Sequence, residues 1–278
     1  MNYAIPPAHT LEEHREYLYE IVKLKLFYLH LSLTEIHPEE SFSQAIRNRV
    51  DIYRKTDANP LLHTPNKLFF DAPAWMNMES AAEEIFKQYS ADTDSDRAMF
   101  EQKAFEVFRP SLDARCRRDW LDDSVLANYQ CGSLKHDPVL KGETLNFHIA
   151  NAVRPNSIFD DPLYMPRCFR ALLRVAKEKF HAKYIYTGTW LNSCEKWLAL
   201  FPPVWREHIE NENHNVGWHY GFWGQFINAK GTYAKKTGDY LREHKAFRYW
   251  PKGSYILVDE MNEHISKILD KNSQSSEK

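Results

Sequence analysis

Along residues 143–150 the apolar side chains Leu145, Phe147 and Ile149 alternate with Asn146, His148 and Ala150. A period of two is the pattern of a half-buried strand. After a polar stretch, Phe169, Leu172, Leu173, Ala176 and Phe180 recur at spacings of three and four. Arg167, Arg170, Arg174 and Lys177 take the remaining positions. This is an amphipathic helix, and Pro166 requires its regular part to start near Tyr164. Residues 183–186 (KYIY) form a second β-prone run, broken by Gly188. Strand, helix and strand in succession predict a βαβ unit with the two strands parallel. Asn192 followed by Glu195 marks a helix start beyond it, and Pro202 with Pro203 ends that helix.

The first 130 residues carry helical patterns. Thr10 with Glu13 is a capping box. Beyond it Tyr17, Leu18, Ile21, Leu24, Tyr28 and Leu31 form one face of a long helix that stops by Pro38. A second helix is expected over residues 41–55, a third over 79–89 and a fourth over 97–108. Pro110 interrupts the fourth, and a further helix follows to Trp120. Near the C-terminus, residues 247–250 read as a short strand, and YILV (255–258) as a third strand or a helix lead-in. A final helix capped by Asp259 runs to Leu269. The expected class is α+β or α/β, with a helix-rich part at 1–130 followed by a small sheet containing at least one βαβ unit flanked by helices at 131–270. A polar tail at 271–278 is expected to be disordered. No clean linker separates the two parts, which are expected to share a core or to form one domain.

Composition narrows the function classes. The 278 residues are 43% hydrophobic and 14% aromatic, with a formal charge of −2. That is a folded globular chain without the basic excess of a nucleic-acid binder. The four cysteines, Cys116, Cys131, Cys168 and Cys194, form no C-x-x-C pair, which fits a reduced, cytoplasmic setting. The N-terminal residues lack a basic region followed by an apolar one, so no secretory leader is expected. The most apolar run, residues 21–33, contains Lys23, Lys25 and His30 and is too short for a bilayer. Dinucleotide, P-loop, kinase, α/β-hydrolase and zincin signatures are absent.

Candidate chemistry concentrates after the two predicted parallel strands, because open parallel sheets bind ligands beyond their carboxyl ends. His148 is the candidate acid or base, oriented by Asp160 or Asp161. Asn151, Arg154, Ser157, Thr187, Thr189, Trp190 and Asn192 are candidate substrate contacts, and Trp218 and Trp223 candidate pocket walls. Many of these residue types also build turns and caps. Ser157, Ser193 and Cys194 are weaker candidate nucleophiles. Arg109, Arg115, Arg117 and Arg118 form a basic cluster, read as a solvated helix face or an anion site. Residues 208–226 hold three histidines, two tryptophans and three glycines. His208, His214 and His219 are an alternative metal set, but spacings of six and five place no two imidazoles on one helical face.

Three functions follow as expectations. The first is a cytosolic enzyme, a transferase or hydrolase, acting on a small polar metabolite by His148-assisted proton transfer. The second is a non-catalytic module that binds a ligand or partner through an exposed patch at 218–226. The third is a metal-dependent enzyme with His and Glu ligands. No cofactor is identifiable, and neither membrane nor nucleic acid is an expected partner.

Overall fold

In the computed structural model, residues 7–60, 68–121, 129–215 and 221–275 are described. The chain divides into two compact units. The sheet unit is built from Asp123–His214 and Tyr249–Lys278, and the helical unit from Ile5–Asp122 and Asn215–Arg248. Residues 215–248 therefore belong with the N-terminal helices and not with the sheet.

The sheet unit contains β1 (Leu134–His136), β2 (Thr144–Ile149), β3 (Tyr184–Thr189) and β4 (Lys252–Leu257), hydrogen-bonded in that order. β2 and β3 are parallel, with Leu145 opposite Ile185. The unit's crossover is the long helix Tyr164–Glu178, so the predicted βαβ unit is present. Pro166 lies in its first turn, where a missing N–H costs nothing. β1 and β4 are antiparallel to their neighbours and make the sheet mixed. Alternation sends Leu145, Phe147, Ile185 and Ile256 to one face. There they pack with Phe169, Leu172 and Leu173 of the crossover helix and with Met261, Ile265 and Leu269 of the last helix. The opposite face presents Lys135, Asn146, His148, Tyr184, Tyr186 and Tyr255.

Several boundaries differ from the sequence pattern. Residues 247–250 are not a strand, whereas β4 starts at Lys252. The last helix runs Val258–Ser275, into the segment assigned to the tail. Asn192 lies in a 3-10 turn, Trp190–Ser193, and the following helix is the single turn Glu195–Leu198. A second short helix spans Pro203–Glu207.

In the helical unit, α1 (Leu11–Leu31) begins at the predicted capping box, with both Thr10 and Glu13 side chains engaged. Its residues are buried almost all round from Tyr17 to Leu31, so it is the unit's central helix. α2 (Phe42–Asn48) is shorter than the 41–55 pattern. Val50, Ile52 and Tyr53 are all buried, and one helical stripe does not bury positions so spaced. The chain therefore leaves the helix and returns as a 3-10 turn, Tyr53–Lys55. α3 (Pro73–Gln88) starts six residues earlier than expected, with proline at its first position. α4 (Asp94–Trp120) is continuous through Pro110. Glu106 and Pro110 are both exposed, so the carbonyl deprived of its N–H partner faces water. α1 packs on α4, and α3 on α4. The 215–248 segment adds the helix Lys235–His244 and an aromatic cluster in which Trp223 and Phe247 pack on Tyr28 and Phe222 packs on Phe247. Among the described residues, no helix is long and apolar enough to cross a membrane.

Candidate functional site

The two post-strand loops do leave adjacent parallel strands, but their polar side chains are spent locally. Asn151 accepts from Val153 N at 3.0 Å and donates to Asn156 O at 2.8 Å. Ser157 Oγ accepts from Phe159 N, and Asp160 accepts from Ser157 N at 2.8 Å. Asp161 accepts from Leu163 N and pairs with Arg167 at 3.2 Å. These are side-chain-to-backbone turns, the competing role of the same residue types. Arg154 is exposed. Thr187 faces the core at 2% exposure, and Thr189 caps the following turn through Leu191 N. Trp190 stacks on Tyr249 with centroids 5.9 Å apart.

Asn192 is the most fully engaged of the set. Its amide donates to Thr187 O at 3.1 Å and to Lys252 O at 2.8 Å. Its carbonyl accepts from the indoles of Trp197 at 3.0 Å and Trp205 at 3.2 Å. All four of its hydrogen-bonding positions are used within the fold, which makes it a structural residue rather than a ligand contact.

His148 lies on the open sheet face. Its Nε2 is 2.8 Å from Asp137 Oδ1, and Asn146 Nδ2 donates to the other oxygen at 3.3 Å. The carboxylate beside His148 is thus Asp137, whereas Asp160 and Asp161 close turns at Ser157 and Leu163. The pair is open to water, with side chains 54% and 28% exposed.

The first part of the histidine-rich stretch, residues 208–214, lies along β4, where Glu210 N donates to Gly253 O and Asn213 N to Pro251 O. His208 stacks on Tyr255 at 4.1 Å, and His214 on Trp250 at 4.2 Å. Among the described residues, no group of three or more His, Cys, Asp or Glu is disposed to hold a metal. His219 and Trp218 lie outside the described residues. Trp223 is buried at 4% exposure, with Phe222 at 5% and Phe226 at 0%, so these three rings of the expected exposed patch belong to the core. Glu210 accepts from Tyr186 OH at 3.3 Å and covers Gly253, where any β-carbon would collide with it. Burial and the neighbouring Glu210 push the Tyr186 phenol up.

The densest ionisable chemistry is in the helical unit. His14 on α1 and Asp119 at the end of α4 have side chains only 7% and 8% exposed, and His14 Nε2 lies 2.8 Å from Asp119 Oδ2. Lys55 Nζ donates to both Asp119 oxygens at 3.0 Å. The other ring nitrogen of His14 meets His9 Nε2 at 2.9 Å, and His9 Nδ1 meets Lys230 O at 3.0 Å. Burial works against an ionised Asp119, but Lys55 and the His14 hydrogen bond overcome it and hold the carboxyl well below the usual carboxylate range. A surface depression opens beside His9, lined also by Pro7, Leu11, Glu13 and Trp120.

No family model, curated protein or solved structure matches this chain. Its chemistry therefore rests on its own geometry.

Close to this network Lys25 is buried at 2% exposure. Its ammonium donates to Asp51 O at 2.7 Å and lies 5.2 Å from the Trp223 ring centroid. Burial pushes its amine down to about 8, against the pull of Asp51. Arg115, read from sequence as part of a solvated basic face, is 2% exposed and donates to Asn59 O at 2.6 Å. Arg109 does face water, beside Glu106 at 3.0 Å. The sequence signal for this region was the stripe His14, Leu18, Ile21, Lys25: four positions on one helical face, two of them ionisable where an apolar residue belongs.

Proposed function

We propose that the chain is an enzyme acting on a small polar metabolite by histidine-assisted acid/base chemistry. Its reacting centre is the network His9–His14–Asp119–Lys55. One observation carries this reading: a half-buried histidine at a surface depression is linked through a buried histidine to a buried, ionised carboxylate. Asp119 fixes the ring orientation of His14 and stabilises positive charge on it. His14 in turn supports His9, the member next to the depression. Lys55 keeps Asp119 ionised so that the carboxylate does not take the proton itself. Such a network suits hydrolysis or group transfer, in which a leaving or attacking oxygen exchanges a proton.

Four cysteines with no C-x-x-C pair and a near-neutral charge support a cytoplasmic enzyme rather than a secreted or nucleic-acid-binding protein. The test is turnover by the full chain against a panel of small carbonyl, carboxylate and ester metabolites. His9→Gln is expected to lower turnover by about 10²- to 10⁴-fold, the usual worth of a positioned acid or base. Unchanged turnover in that variant removes the assignment.

A second reading keeps His148 as the reacting group, supported by its 2.8 Å contact with Asp137 on the open face of the sheet. It predicts a comparable loss in His148→Gln, whereas the first reading predicts none.

A further inference from the structure

The hydrogen-bond acceptors at the two ends of the histidine pair fix its proton count. Lys230 O has only lone pairs, so the 3.0 Å contact requires a proton on His9 Nδ1. Asp119 is ionised and also accepts only, so the 2.8 Å contact requires a proton on His14 Nε2. Between the rings, His9 Nε2 and His14 Nδ1 at 2.9 Å need one proton between them. Two neutral imidazoles carry two protons, and this chain of contacts uses three.

We infer that His9 and His14 together hold three protons on their four ring nitrogens, and that the depression beside His9 takes a small molecule presenting a carbonyl or carboxylate oxygen in place of the Lys230 carbonyl. This deepens the acid/base reading of the same site and rests on it for the catalytic consequence. The replaceable contact is His9 to Lys230 O, which is exposed, whereas the contacts on the far side of the pair are part-buried. An incoming oxygen meets His9 Nδ1–H with the geometry that Lys230 O now has. Proton transfer then balances simply. The ligand oxygen's lone pair forms the O–H bond, and the Nδ1–H electron pair stays on the His9 ring. The inter-ring proton settles on His9 Nε2, leaving both rings neutral, with His14 Nε2–H still donated to Asp119.

The charges around the pair are consistent with a cation held there. Asp119 faces His14, and Glu13 lies within electrostatic reach of His9 and Lys230. Lys55 and the amino-terminal dipole of α1 oppose it, so the positive charge depends on Asp119.

The test uses the full chain labelled with 15N at histidine. Long-range 1H–15N correlation spectra should resolve three ring protons shared by His9 and His14; two neutral tautomers would overturn the inference. Acetate, acetamide and methylguanidinium are then titrated as carboxylate, carbonyl and cationic probes. A saturable shift of the His9 ring signals with acetate assigns a carboxylate ligand, and with acetamide a carbonyl ligand; either supports the inference. A response to methylguanidinium alone, or the same 1H–15N backbone shifts in His9→Gln, overturns it. Neither readout uses turnover. Three ring protons in a protein whose His9→Gln variant keeps full activity would therefore sink the enzyme reading and leave the proton count standing.

Discussion

The sheet unit and the helical unit treat buried polarity in opposite ways. In the sheet unit the buried polar residues are three hydroxyls, one amide and one imidazole: Ser133, Thr187, Ser254, Asn192 and His136. Asn192 makes four hydrogen bonds, and Ser254 Oγ donates to Trp205 O at 2.8 Å. In the helical unit the buried set includes Lys25, Asp51, Arg54, Glu79, Arg97, Arg115 and His14. Its buried atoms His30 Nδ1, Ser32 Oγ, Arg97 Nε and Trp223 Nε1 have no hydrogen-bond partner among the described residues, against His264 Nε2 in the sheet unit. Buried charge is costly, and incomplete satisfaction adds to the cost. The proposed acid/base centre takes its groups from the unit that bears both costs, since perturbed groups cluster at functional sites. The sheet unit spends its polar side chains on holding itself together.

Four variants break or sharpen that contrast. Asp119→Ala strips the counter-charge from Lys55 and His14 while both are largely buried, and is expected to cost about 4 kcal/mol in urea unfolding at pH 7. Because the folded carboxyl lies below its ordinary value near 3.9, its stabilisation is whole above that pH and drains as pH falls beneath it. The wild-type acid limb should therefore flatten in the variant. Asn192→Ala leaves two indole N–H groups and two backbone carbonyls unmatched. It should cost about 3 kcal/mol, with no pH dependence, since nothing in that network titrates.

Lys25→Met has the opposite sign. The folded amine, at about 8, lies below its unfolded value, so the unfolded chain binds the extra proton between about 8 and about 10.5. Wild-type stability should rise across that window and the variant's should not. At pH 7 the variant gains about 2 kcal/mol, less than the full shift because Asp51 O loses its donor. A loss of stability in Lys25→Met would show that the ammonium is held by more than the contacts described. The smallest effect is expected for His148→Gln. Its half-exposed pair with Asp137 is worth under about 1 kcal/mol, and thermal unfolding should barely move.

How much of this was legible in the sequence follows from the range of each interaction. The parallel pair β2–β3 and its crossover helix were readable because alternation and amphipathic spacing are local signals. β1 has only three residues, too few to show a period, and β4 was half hidden because Gly253 and Ser254 carry no β-prone side chain. Pro110 was read as a break because the pattern does not reveal that the affected carbonyl faces water. The loops at 151–161 and 187–193 attracted attention by residue type, yet those types close turns on neighbours two to five residues away. His14 and Asp119 are 105 positions apart. Only the packing of α1 on α4 brings them together, and no spacing rule within one sequence predicts that meeting. The trace was the two ionisable residues on α1's apolar stripe, visible but ambiguous without the partner helix.

The most direct test of where the chemistry resides is a paired comparison on one substrate, found by turnover screening of the full chain. His14→Gln and His148→Gln are purified, matched for folding by far-UV circular dichroism, and assayed side by side. The account predicts a fall of about 10²-fold or more in kcat/KM for His14→Gln and an unchanged value for His148→Gln. The reverse pattern, with His148→Gln inactive and His14→Gln intact, would contradict it.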